Sequence, residues 1–150
     1  MPVERGAMTY AFQNTLKHSV EVTNEWVNEL DEAFGWEDKN RSFRVMRAVL
    51  HELRDMLLVD EAAQLSAQMP LFIRGLFFEE WNPSKATAKS HDKQAFLARV
   101  VSGVANEKIG SPEKAVSAVF TLLNSKISAG ELNDVRDNLN AAMQKIWSVN

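Results

Sequence analysis

The feature that most restricts the fold of this chain is a stretch at residues 41–81, RSFRVMRAVLHELRDMLLVDEAAQLSAQMPLFIRGLFFEEW, whose apolar side chains recur at helical spacing. Advancing about 100° per residue from Arg41 gathers Phe43, Val45, Met46, Val49, Leu50, Leu53, Met56 and Leu57 on one arc. Arg44, Arg47, His51 and Arg54 fall roughly opposite. That pattern makes a helix with one face buried and one in water. Val59-Asp60-Glu61 interrupts it, and Asp60 reads as the N-cap of the next helix, with Glu61 favourable in the first turn. The second element runs from about Glu61 to Trp81 and contains Pro70. Proline lacks a backbone donor and clashes with the previous turn, so it kinks or breaks this element and opens a new helical segment. Leu65, Met69, Phe72, Ile73, Leu76 and Phe77 supply the inward face, and Phe78 and Trp81 add aromatic surface beyond one stripe.

The flanking sequence continues the helical theme. Met1–Gly6 reads as a loose end. From Thr9, the positions Phe12, Leu16, Val20, Val27, Leu30 and Phe34 suit one long amphipathic helix, with Thr23 or Asn24 able to cap a fresh start at Glu25. Gly35 is a stop signal, and residues 36–40 form a polar connection. After Trp81 the segment NPSKATAKSHDK opens on a turn signal, and Ser90 reads as the N-cap of a helix covering roughly His91 to Asn106. Its inward positions are Phe96, Leu97, Val100, Val101 and Val104. Gly110-Ser111-Pro112-Glu113 combines a stop, a cap and a first-position proline before a helix carrying Val116, Val119, Phe120, Leu123 and Ile127. Ser128 and Glu131 have capping-box spacing and introduce a last helix that buries Leu132, Val135, Leu139, Met143 and Ile146. No segment alternates with period two long enough to argue for strands. The expectation is an all-α bundle of about six helices.

A shift of seventy residues superimposes the apolar positions. Trp26, Leu30 and Phe34 fall on Phe96, Val100 and Val104; Val49, Leu50 and Leu53 fall on Val119, Phe120 and Leu123; Leu65, Met69 and Phe77 fall on Val135, Leu139 and Trp147. Repeated units each leave an apolar face for the other to cover. The reading is a single domain over 1–150, made of two related three-helix halves at about 9–81 and 90–150 with a polar linker at 82–89.

The run AVLHELRDML followed by EAAQLSAQMPLFIRGLFFEEW resembles the bacterial domain-of-unknown-function family 2267. The residues that carry the resemblance are Ala48, Val49, Leu50, Leu53, Arg54, Glu61, Ala62, Gln68, Pro70, Arg74 and Trp81, and it extends from about Thr9 to the C-terminus. Where the break proline would repeat, the chain has Asn140, so the kink is not expected to recur there. The resemblance implies a helical fold and a soluble bacterial protein, and brings no activity with it.

Several function classes lose support on these residues. The net charge of −3 gives no overall pull toward nucleic acid or anionic membrane. With no cysteine, thiolate metal sites, disulfides and a cysteine nucleophile are excluded. No apolar run reaches the length of a membrane span, and MPVERGAMTYAF lacks the apolar centre of a secretory signal, so a cytoplasmic location is expected. His18, His51 and His91 lie on separate segments without convergent ligands, so no metal or cofactor is expected. The carboxylate pairs Asp31-Glu32, Glu37-Asp38 and Glu79-Glu80 are adjacent on helices and do not converge, and no nucleophile elbow or phosphate loop occurs. No catalytic residue is nominated, and the chain is not expected to be an enzyme.

Binding is left as the candidate role. The arginine face could meet phosphates, but Glu52 and Asp55 stand ready to pair with it, and the aligned second-half positions Lys114, Ser117, Thr121 and Asn124 do not repeat its charge. Gln64, Gln68 and Arg74 beside Pro70 suit either backbone groups freed by the break or a polar ligand. The candidate binding residues are Arg54, Gln68, Arg74, Phe78 and Trp81. The preferred reading is protein–protein interaction or self-association through aromatic surface around Phe78 and Trp81. The alternative is a small polar ligand held between the halves.

Overall fold

Short polar side chains at the free backbone amides set where most of the helices begin. The computed structural model describes residues 2–147, with side chains from Ala11 onward. Along the chain, α1 spans Pro2–Phe34, α2 Lys39–Asp55, α3 Val59–Ala67, α4 Leu71–Phe77 and α5 Pro83–Ala86. They are followed by α6 Lys93–Gly103, α7 Pro112–Lys126, α8 Ala129–Asp137 and α9 Ala141–Lys145. Asp38 accepts from the Arg41 amide, Asp92 from Ala95, Ser111 from Lys114, Ser128 from Glu131 and Asn140 from Met143. Gly35 ends α1 at φ +67°, a conformation L side chains rarely adopt.

Among the described residues there are nine helices and no strands, so the class is all-α but the expected count of six is corrected. Two of the expected helices are each divided in two. Pro70 separates α3 from α4, and Asn140 separates α8 from α9 by turning its side chain onto the Met143 amide. Asparagine achieves by capping what proline achieves by lacking a donor. The ninth helix is the single turn α5 in the linker, capped by Asn82 with Pro83 at its first position. Other boundaries also move. Leu58, not Asp60, precedes α3, with its amide donating to Glu61 at 3.0 Å. Asp92, not Ser90, caps α6, and α1 is unbroken at Thr23, whose hydroxyl donates to the Ser19 carbonyl within the helix. From Pro2 onward the expected loose end is helix; Met1 lies outside the described residues.

The core forms around α2 and α7, which pack on each other. α1 lies against both, α6 lies against both, and α3 meets α8. Leu30, Met46, Leu50, Leu53, Phe77, Phe96, Phe120 and Trp147 are fully buried, with the Phe120 and Trp147 rings stacked at 4.1 Å. α2 and α6 approach closely because a Cβ built on Gly103 would stand only 3.2 Å from that of Ala48. Five residues expected inside are outside: Phe12, Leu16, Val20, Phe72 and Val101. The first three sit toward the N-terminal part of α1. Its 33 residues reach about 50 Å at 1.5 Å per residue while the 17 residues of α2 reach about 25 Å, so α2 covers only part of it and α4 meets it near Ser19.

Candidate functional site

Two concave surfaces flank the Arg47–Glu79 ion pair, and they are built from opposite materials. The first is a charged cleft of about 690 Å³ between α2, the 79–89 segment and α6. The cations of the polar face of α2 line it and each has a partner. Arg44 pairs with Glu107, Arg47 donates to Glu79 Oε2 at 3.0 Å, and His51 Nε2 lies 2.7 Å from the Leu76 carbonyl. A carbonyl only accepts, so the imidazole proton sits on Nε2 and Nδ1 is the acceptor.

Deeper in, five charges from three segments close on one another. Arg54 Nε donates to Asp55 at 2.8 Å, while its Nη1 donates to the Phe77 and Glu79 carbonyls at 3.0 and 2.7 Å. Lys89, from the linker, donates to Asp55 and to both oxygens of Glu52, and Arg99 Nε donates to Glu52 at 3.3 Å. Glu52, Arg54 and Asp55 are each less than a tenth exposed, so each needs its partner. Burial alone would raise Asp55, but the hydrogen bonds from Arg54 and Lys89 outweigh it and hold the carboxyl below its usual range. Burial would lower Lys89, yet Asp55 and Glu52 hold it above its usual value. His51 is lowered, chiefly by burial, with the nearby Arg54 and Arg47 acting in the same sense against the Leu76 carbonyl and Glu79. Three cations, Arg54, Lys89 and Arg99, thus pair with two carboxylates, Glu52 and Asp55, leaving one positive charge in excess.

The second surface is an apolar groove of about 600 Å³ between the early part of α1 and α4. Leu16, Phe43, Leu71, Phe72 and Leu76 line it, and Arg47 and Glu79 stand at its edge. The Phe72 amide donates to Ser19 Oγ at 3.3 Å, tying α4 to α1. Phe12 is 63% exposed, Leu71 60%, Val20 59%, Phe72 52% and Leu16 50%. The face of α1 that buries Trp26 and Leu30 carries on beyond the body as Phe12 and Leu16.

The nominated residues do not converge on either surface. Arg54 lines the cleft, with Nε and Nη1 occupied as described. Arg74 bridges the break at Pro70, donating to the carbonyls of Ser66 at 3.0 Å, Ala67 at 3.4 Å and Met69 at 3.0 Å. Gln68 reaches the other half instead: its Nε2 donates to Ser128 Oγ, and its Oε1 accepts from the Ser128 amide. Phe78 and Trp81 are half-buried and lie ring against ring at 5.0 Å, with Phe77 beneath at 5.1 Å from Phe78. Sequence reasoning missed Lys89 and Arg99, which reach the network from distant segments. It also missed the apolar groove, whose signal was present: an apolar stripe on α1 longer than any partner helix. Among the described residues no cluster of His, Asp or Glu could hold a metal ion, and no helix is long and apolar enough to cross a membrane.

A family model described as an uncharacterized conserved protein, DUF2267, matches residues 23–146, well over half of the chain. A search of curated proteins finds nothing that matches.

Proposed function

Since the chain belongs to the DUF2267 family, which brings no assigned chemistry, we propose from its surface that it is a non-enzymatic protein–protein interaction module. Its contact face is the groove between α1 and α4. One observation carries this: Leu16, Leu71 and Phe72 line one concavity while at least half exposed, and Phe12 and Val20, about one helical turn to either side of Leu16 on α1, are exposed as well. Together they present on the order of 500 Å² of apolar surface, at the upper end of the largest patch on an ordinary monomer. At about 25 cal/mol per Å², covering it supplies roughly 10 kcal/mol before the costs of association. Phe78 and Trp81 do not line that groove; their rings lie against each other, and Phe78 also meets Phe77. A photo-crosslinking amino acid at position 72, introduced in cells, is expected to join the chain to a protein. No cross-linked species of any kind would overturn the reading.

The scaffold beneath this face reads as a duplicated three-helix unit. Support comes from α3 and α8, whose bounds differ by seventy residues at both ends. It comes also from a shared device. Arg74 donates to the carbonyls of Ser66 and Met69, and Gln144, seventy residues on, donates to those of Arg136 and Leu139 at 3.0 and 2.9 Å. Each pair of carbonyls is also seventy apart. A cytoplasmic setting accords with a chain that has no cysteine to oxidise.

A second reading, a small anionic ligand in the cleft between the halves, draws on Arg47 and Lys85 at its exposed edge. A ligand that binds the folded state raises the melting temperature by mass action. Inorganic phosphate and pyrophosphate are the probes; no shift with either, at constant ionic strength, would remove this reading.

A further inference from the structure

We infer that the occupant of the α1/α4 face is a second copy of this chain, related by a two-fold axis. The inference rests on the interaction reading above and adds the identity of the partner.

The face carries both parts of a self-complementary joint. Phe12, Leu16 and Val20 form a ridge on α1, and the groove floored by Leu71 and Phe72 lies directly beside it. A two-fold axis repeats each contact, so one rotation seats each ridge in the other copy's groove. The size suits a dimer. A standard interface covers about 800 Å² per partner, of which about 65% is apolar in homodimers, or about 500 Å². The exposed face supplies an area of that order.

Charge does not oppose the approach. No charged residue interrupts the ridge between Phe12 and Val20 on its apolar side, so like meets like without repulsion. Lys17, His18, Glu21 and Glu25 project from the other faces of the helix and remain exposed. At the groove's edge Arg47 and Glu79 are already joined and leave no net charge to oppose the approach.

Sedimentation equilibrium of the full chain across the micromolar range is expected to give twice the 16.9 kDa monomer mass. Phe12→Asp, at a site 63% exposed and outside the core, is expected to weaken self-association about thirtyfold or more. Val101→Asp, at an exposed apolar residue of α6, is expected to leave it unchanged. A wild-type chain that stays monomeric, or a dimer indifferent to Phe12→Asp, would overturn the second copy as occupant. A monomer that still cross-links from position 72 to a different protein refutes the second copy while leaving the interaction reading standing; absence of every cross-link refutes both.

Discussion

The cleft and the groove share Arg47 and Glu79 as a common wall, yet one has answered its own needs and the other has not. In the cleft, Lys89 and Arg99 travel from distant segments to Glu52 and Asp55, and Arg54 binds the carbonyls that end α4. Most of its charged groups are paired within the molecule. In the groove, the side chains at Leu16, Leu71 and Phe72 meet mostly water. Water solvates a surface charge well and an apolar side chain poorly, so unspent binding capacity resides in the groove. Conspicuous charge therefore marks internal pairing here, and the apolar exposure is what the proposed contact would cover.

Breaking the cleft should cost most. Arg54→Leu removes a buried guanidinium from Asp55 and from two carbonyls, and is expected to lower unfolding stability by about 3 to 5 kcal/mol in urea titrations. A loss under about 1 kcal/mol would show that the network is a bystander. Next comes the brace beside the groove. Arg74→Ala strips the donor from three carbonyls and is expected to cost about 1 to 2 kcal/mol. Arg74→Gln should recover most of that, because Gln144 performs the equivalent task with a glutamine. Equal losses for the two variants would deny the equivalence.

A smaller effect distinguishes the cleft by pH. The folded chain holds His51 below its ordinary 6.5, so the unfolded chain takes up the proton first. Stability is then whole above that value and declines as pH falls through it, and His51→Gln should flatten this part of the profile. Asp55, also held low, adds a decline only at more acidic pH, below the ordinary carboxylate range. Lys89, held high, keeps its contribution until pH rises past its ordinary 10.5. A wild-type profile as flat as that of His51→Gln would remove His51 from the account. The smallest effect belongs to the groove. Leu71→Asp should change the stability of the dilute chain by no more than about 0.5 kcal/mol, since its side chain rests on little. A larger loss would mean that Leu71 is part of the core.

Most of the fold could be read from periodicity, because burial follows the helical arc closely. Val45, Met46, Val49, Leu50 and Leu53 are all buried as their spacing requires. The break at Asn140 was harder to see, since asparagine stops a helix only when its side chain turns onto the backbone, and sequence does not fix that turn. Phe12, Leu16 and Val20 were assigned to the right stripe but the wrong surroundings. A helical wheel reports which face is apolar and is silent on where the neighbouring helices stop. The network at Lys89 was invisible for a related reason: 34 residues separate it from Asp55, and only the tertiary fold joins them.

Glu79 carries a consequence of its own. One of its oxygens holds Arg47; the other is buried, accepts no hydrogen bond, and lies 3.9 Å from His51. A carboxylate placed at the lip of both concavities cannot serve each at full strength. A newcomer that draws it outward slackens its hold on Arg47 and alters the field at the imidazole. Seating a companion on the greasy side would thus be felt as a change in the titration of a histidine on the ionic side.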